Sequence, residues 1–239
     1  EHFISVQRGY RTYHNDILEY FKNKNETFHI DHYFVFNKSI INHLKKYVIS
    51  NYTLLGSAEN NFYSINNLTK KKREIVYISS HSIAGFEKLN ETDQMISEFY
   101  QIEIKVLNSL IDFCEKNNYI LSILGKHRVA ENKIIEKDFF INNLKGNFNY
   151  IENNYERKTY EILDRASMSI GTHSTLIYEN FSRGNKSFVF NFRHDKYPFN
   201  TKKFGYFSNL SDSGEIWYAG KNINIFLDKI IKILNAKET

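Results

Sequence analysis

Ser167-Met-Ser-Ile-Gly-Thr-His-Ser-Thr-Leu-Ile-Tyr-Glu179 decides how this chain is read. An apolar, β-prone run ends at Gly171, small polar residues follow, and a helical period starts near Leu176, so the stretch predicts strand, tight turn and helix. Gly171 is expected to permit the sharp turn and a close backbone approach. Either Ser174 or Thr175 is expected to cap the helix, and the free N–H groups and dipole at that end favour an anion. Hydroxyls of Thr172, Ser174 and Thr175 add donors for phosphate oxygens, and His173 either orients them or packs. Glu179 lies one turn below Thr175 on the same helix face, where a carboxylate accepts hydrogen bonds from ribose hydroxyls. Each feature alone also fits a plain capped helix with a solvated Glu179. The context argues for more, because ligands of open α/β sheets bind beyond the carboxyl ends of strands.

Outward from this turn, short β-branched and aromatic runs alternate with longer segments of helical period, as in a mainly parallel α/β sheet. The runs predict strands near 3–6, 33–36, 53–55, 75–78, 120–124, 167–170 and 187–190, and helices over 15–22, 38–48, 92–116, 136–143, 155–164 and 174–183. A closing helix over 223–234 carries Ile223, Phe226, Leu227, Ile230, Ile231 and Leu234 on one stripe. The polar segment Ser57 to Arg73 ends in the block Lys70-Lys71-Lys72-Arg73 and reads as a connection between two lobes, residues 1–66 and 67–239. About sixty residues are short for a lobe of the usual ~100–150. An incomplete N-terminal lobe is therefore expected, in a truncated chain or one module of a longer polypeptide.

With 41% hydrophobic and 25% charged residues over 239 positions, the chain can bury a sizeable core. Its single cysteine, Cys114, rules out a disulfide framework and a cysteine-based metal site, which suits a reducing, cytoplasmic address. No run approaches the roughly 18 apolar residues of a spanning helix. The net charge of +5 favours anionic partners without naming one.

Ser174-Thr-Leu-Ile-Tyr-Glu179, followed by Arg183-Gly-Asn-Lys-Ser187 and Phe188-Val-Phe190, resembles the donor-binding segment of GT-B glycosyltransferases. Four further stretches fall in that family's order: Gln7-Arg-Gly-Tyr-Arg-Thr12, Asp31-His-Tyr-Phe-Val-Phe36, Leu55-Gly-Ser-Ala-Glu-Asn-Asn61 and Leu124-Gly-Lys-His-Arg128. The similarity is greatest to transferases using CMP-linked or CDP-linked donors in bacterial surface-polymer synthesis, narrowing to those that add β-linked Kdo from CMP-Kdo. Two departures stand out. His127-Arg128 replaces the usual His-Pro, and Gln7-Arg8 replaces a Trp-His found in some relatives.

The resemblance implies two Rossmann-like lobes of parallel sheet flanked by helices, a nucleotide-sugar donor, and a glycan or lipid-linked glycan acceptor. It implies neither cofactor nor metal. Breaking the bond between the anomeric carbon and a phosphate oxygen requires stabilisation of charge on the leaving phosphate. Lys126 and His127 are expected to face the same crevice as the Gly171 to Thr175 turn, with His127 also able to protonate the leaving group. Arg8 and Arg11 can pair with a sugar carboxylate through their fork geometry, and Asn60 and Asn61 can contact donor or acceptor. Asp93 or Glu19 is the candidate nucleophile or base. The basic block at 70–73 fits a connecting segment near anionic lipid. Two other readings stay open: a nucleotide-sugar epimerase of the same fold, and a basic nucleic-acid-binding module. The latter is disfavoured because no RNA-binding or helix-turn-helix signature is present.

Overall fold

Strands flanked on both faces by helices must be largely apolar, and the segment that meets this demand best is Ile-Val-Tyr-Ile at 75–78, every residue of which is buried. It forms most of strand β4 in a computed structural model that describes residues 2–7, 27–65, 72–81, 93–153, 157–172, 174–192 and 211–237, without the side chains of residues 43, 93–99 and 157. The chain divides between Ser64 and Ile65 into two compact units.

The first unit holds β1 (Ile4–Val6), β2 (Phe28–Val35), α1 (Lys38–Leu44), β3 (Val48–Leu54) and α2 (Ala58–Phe62). Its strands pair in parallel in the order β1-β2-β3. Asn37 caps α1 through a hydrogen bond from the Ile40 N–H at 3.1 Å, and Ile40 and Leu44 then pack on Tyr33, Val35 and Val48. The helix stops four residues earlier than its apolar pattern predicts. Val48 is needed opposite Phe28 in the ladder, so β3 starts there instead of at Thr53.

The second unit holds β4 (Lys72–Ile78), α3 (Asp93–Lys116), β5 (Ile120–Leu124), α4 (Ala130–Asn143), β6 (Phe148–Ile151), α5 (Arg157–Arg165), β7 (Ala166–Gly171), α6 (Thr175–Ser182), β8 (Ser187–Phe190), β9 (Trp217–Tyr218) and α7 (Ile223–Asn235). Its six strands run in the order β6-β5-β4-β7-β8-β9, all paired in parallel. Counted from β4 as the first strand, that order is 3-2-1-4-5-6, the doubly wound arrangement, and its switch point lies between β4 and β7. Ile78 pairs with both Leu124 and Gly171, so β4, β5 and β7 end level. With strands ~4.8 Å apart, the ends of β5 and β7 lie about 10 Å from each other across β4.

The core beneath this edge is aromatic. Phe188, Phe190 and Phe226 are fully or almost fully buried, and Phe190 and Phe192 meet the Phe226 ring at 5.3 and 5.4 Å between centroids. Each such side chain contributes roughly 1.5–3 kcal/mol on burial. From α7, Phe226 and Ile230 enter this core while Ile223, Leu227, Ile233 and Leu234 pack against it. Ile231, expected on the same stripe, is exposed, because one residue past Ile230 the helix has turned by about 100°.

Two further expectations change. Lys72 and Arg73 do not belong to a connecting segment: they open β4, where Lys72 pairs with Ala166. The Arg73 guanidinium donates to the carbonyls of Asn117 and Asn118 at 2.7 and 2.9 Å and lies 4.6 Å from the Tyr119 ring centre. It thereby ties β4 to the loop after α3. Lys70 and Lys71, like the helix expected over 15–22, lie outside the described residues. Among the described residues, no helix is long and apolar enough to cross a membrane.

Candidate site at the carboxyl edge of the six-stranded sheet

Beyond β7 the chain turns at Thr172 and enters α6, whose N-cap is Ser174: its hydroxyl accepts from the Leu176 N–H at 3.3 Å. Thr175 is the first helical residue. The Gly171 backbone is not left-handed, and a Cβ there would sit at ordinary contact distance, 3.4 Å from the Ile78 carbonyl oxygen and 3.8 Å from Ile177. Gly171 thus closes the strand and does not form the turn, which is a correction to its expected role. Thr172 is buried, and its hydroxyl has no hydrogen-bond partner among the described residues. An orphaned hydroxyl beside a capped helix N-terminus is an arrangement that an anionic oxygen would complete. His173 lies outside the described residues.

Glu179 is not a solvated helix residue. It is buried, and its Oε2 accepts from the Tyr160 hydroxyl at 3.0 Å. Behind it, the Arg183 guanidinium forms a two-point ion pair with Asp164, Nε to Oδ1 at 2.9 Å and Nη2 to Oδ2 at 2.5 Å. Asn185 adds a third hydrogen bond to Asp164 at 2.8 Å, and the Arg183 head lies 5.0 Å from the Tyr160 ring centre. This network fixes the C-terminal end of α6 against α5. It thereby sets the direction in which the N-terminus of α6 points.

Across β4, the ends of β4 and β5 converge on Glu136, a fully buried residue of α4. Its carboxylate accepts from the Ser79 hydroxyl at 2.5 Å, from the Lys126 N–H at 2.9 and 3.1 Å, and from the His127 N–H at 3.2 Å. Gly125 makes this approach possible, since a Cβ there would collide with the Tyr150 hydroxyl and lie 3.2 Å from Glu136 Oε2. The Tyr150 hydroxyl, buried near that carboxylate, has its pKa pushed up by burial and by the Glu136 charge. The imidazole of His81 is buried after β4, 4.8 Å from the Phe139 ring and 5.7 Å from that of His127 between centroids. Burial lowers its pKa to about 4, with Glu136 opposing the shift and His127 and Lys126 adding to it. His81 is therefore neutral at pH 7. His127 is half-buried, and its Nε2 has no hydrogen-bond partner among the described residues.

The second unit thus brings Thr172, Ser174, Thr175, Lys126 and His127 to one edge of one sheet, and adds Ser79, His81 and Glu136. The other candidates fall elsewhere. Asn60 and Asn61 lie on α2 of the first unit: the Asn60 N–H donates to Ser57 Oγ at 3.2 Å, and the Asn61 amide donates to the Leu55 carbonyl at 2.8 Å, closing the turn at Gly56. Asp93 opens α3, but its side chain is outside the described ones, as are Arg8, Arg11 and Glu19 entirely. No isolated signal marks Glu136 in the sequence. Gly125 between an apolar strand and three basic residues is the nearest hint.

A comparison with the curated proteins finds no match. Among solved structures, the Glycosylation Associate Protein (Gap123) complex from Streptococcus agalactiae is similar at a TM-score of 0.51 and 13% identity, over 98% of this chain and 45% of that one. TarM is similar at 0.49 and 17% identity, over 98% and 43%, and the wall teichoic acid polymerase TagF at 0.47 and 13% identity, over 96% and 57%. This chain spans about half the length of those it matches. At such identity, the first likeness speaks for the α/β fold alone. A family model described as "putative O-antigen biosynthesis protein" matches residues 4–239, and the chain belongs to that family.

Proposed function

We propose that this chain carries the donor-nucleotide site of a glycosyltransferase that builds a surface polysaccharide of the O-antigen kind. The observation that carries the proposal is the buried Thr172 hydroxyl, without a hydrogen-bond partner among the described residues, beside the Ser174-capped N-terminus of α6, at the switch point of a doubly wound sheet. The family's description supports the acceptor class.

In this reading the leaving phosphate sits against the N-terminus of α6, with Thr172, Ser174 and Thr175 as hydroxyl donors. Lys126 and His127, about 10 Å away at the end of β5, reach the same phosphate, and His127 supplies a proton to it as the anomeric bond breaks. The nucleotide is CMP and the sugar an acidic one such as Kdo, whose carboxylate pairs with Arg8 and Arg11. Asp93 or Glu19 serves the sugar carbon, and Asn60 and Asn61 serve the acceptor. The acceptor is a lipid-linked glycan met at the inner face of the cytoplasmic membrane.

A thermal-shift series with CMP, CDP, UDP and GDP tests this. Nucleotide at about 100 times its dissociation constant stabilises the folded state by ~2.7 kcal/mol. For a unit of this size that raises Tm by about 5–10 °C. CMP is expected to give the largest shift. Absence of a shift with all four nucleotides at millimolar concentration refutes the site assignment, and consumption of a CMP-sugar without any acceptor replaces transfer by epimerisation.

A further inference from the structure

His81, His127 and Glu136 converge at the carboxyl ends of β4 and β5, and we infer that they bind a first-row divalent cation, zinc by preference. One ligand atom of each residue, an imidazole nitrogen from either histidine and a carboxylate oxygen from Glu136, lies within 4.8 Å of the other two. A tetrahedral zinc ion with bonds of about 2.0–2.2 Å needs its ligand atoms roughly 3.3–3.5 Å apart. A contraction of about 1.5 Å therefore closes the set. His127 is the member able to make that move, because it is half-buried and stands in the segment beyond β5.

Three features separate this trio from an ordinary polar cluster. The first is His127 Nε2, a buried nitrogen without a hydrogen-bond partner among the described residues, which leaves its desolvation uncompensated until something binds it. The second is the state of Glu136. A carboxylate offers about four lone-pair sites, and the Ser79 hydroxyl, the Lys126 N–H shared between both oxygens, and the His127 N–H reach all four. These donors are neutral, so a cation displaces the longest of them, the His127 N–H at 3.2 Å, and compensates the buried charge. The third is that these same donors hold the carboxylate in place, as hydrogen bonds to ligating carboxylates do in metal centres. Two imidazoles and a carboxylate suit zinc, and three protein ligands leave a fourth position open for water or a substrate oxygen, the pattern of reactive and not of purely structural zinc.

The site departs from the metal-free expectation that the resemblance carried. It shares His127 with the nucleotide proposal but does not rest on it, since Thr172 and the N-terminus of α6 follow β7, whereas its ligands come from α4 and the ends of β4 and β5. With the cation bound, His127 acts as a ligand and no longer as a proton donor.

The test is isothermal titration of zinc chloride into the chelator-treated full chain, repeated with cobalt(II) to read the coordination spectrum. One zinc per chain and a tetrahedral cobalt spectrum are expected. His127→Ala should weaken zinc at least ~100-fold with an unchanged circular dichroism spectrum, and Ser79→Ala about 10–100-fold, as outer hydrogen bonds to ligands typically do. His2→Ala and His29→Ala, both exposed, should leave binding intact. His81→Ala is avoided because its ring is packed in the core. Absence of a one-to-one site, unchanged affinity in His127→Ala, or loss in His2→Ala or His29→Ala overturns the inference. A CMP shift that persists in any of these cases overturns it alone and leaves the nucleotide site standing.

Discussion

Thr172→Val removes one hydroxyl and keeps the branched side-chain volume. In the free protein that hydroxyl is buried and unpaired among the described residues, a desolvation cost of about 1–3 kcal/mol. Valine relieves it, and β-branched residues suit a strand end. A gain of ~1 kcal/mol, the low end of that range, raises Tm by about 2–4 °C for a unit of 150–250 residues. In the proposed nucleotide complex the same hydroxyl would donate to a charged oxygen, a bond worth about 1.5–3 kcal/mol. Its loss weakens binding about 10–150-fold. Stability and affinity therefore move in opposite directions, as expected where a binding site carries strain in its free state. Melting curves without ligand, paired with CMP titration calorimetry, read both. A variant less stable than its parent shows that the hydroxyl is satisfied in the free protein, and unchanged CMP affinity removes Thr172 from the site; either result refutes the reasoning.

Two further outcomes follow from buried groups. Asp164→Leu or Arg183→Met alone leaves a buried charge without its partner and should cost about 3–5 kcal/mol in urea denaturation, whereas the double variant should recover most of the loss; additive losses would show that the pair is not coupled. Cys114, whose thiol burial pushes up to about 12, should react with a thiol reagent only at the rate of unfolding, and, because the unfolded thiol ionises near 9, stability should fall as pH rises from about 9 toward 12; rapid native labelling would refute its burial.

The fold was legible where burial left a strong apolar signature. Ile120–Leu124 and Ser187–Phe190 have the predicted bounds because they are short, apolar and internal to the sheet. β6 and β9 gave no signal for the opposite reason. Phe148-Asn-Tyr-Ile151 is an edge strand with an exposed asparagine, and Trp217–Tyr218 is only two residues long, held by its pairing with Val189 and Phe190. The first six residues of α4, Ala130 to Ile135, were invisible because Val129 precedes them without a side-chain cap.

The same contrast governs the site. A capped helix start after a glycine is a local pattern, so the cap at Ser174 and the helix start at Thr175 could be read from their order alone. Glu136 could not. In sequence it is one acid in the amphipathic segment Glu131-Asn-Lys-Ile-Ile-Glu-Lys-Asp, indistinguishable from its solvated neighbours. What makes it different is Gly125, whose missing side chain lets α4 bring a carboxylate against the strand end. The backbone N–H groups of Lys126 and His127 then have a partner that water would otherwise supply. A buried carboxylate costs several kcal/mol unless donors surround it, so it persists only because three elements, the ends of β4 and β5 and the middle of α4, converge there. Convergence of that kind is a property of topology, and only the strand order β5-β4-β7 places it beside the turn that follows β7.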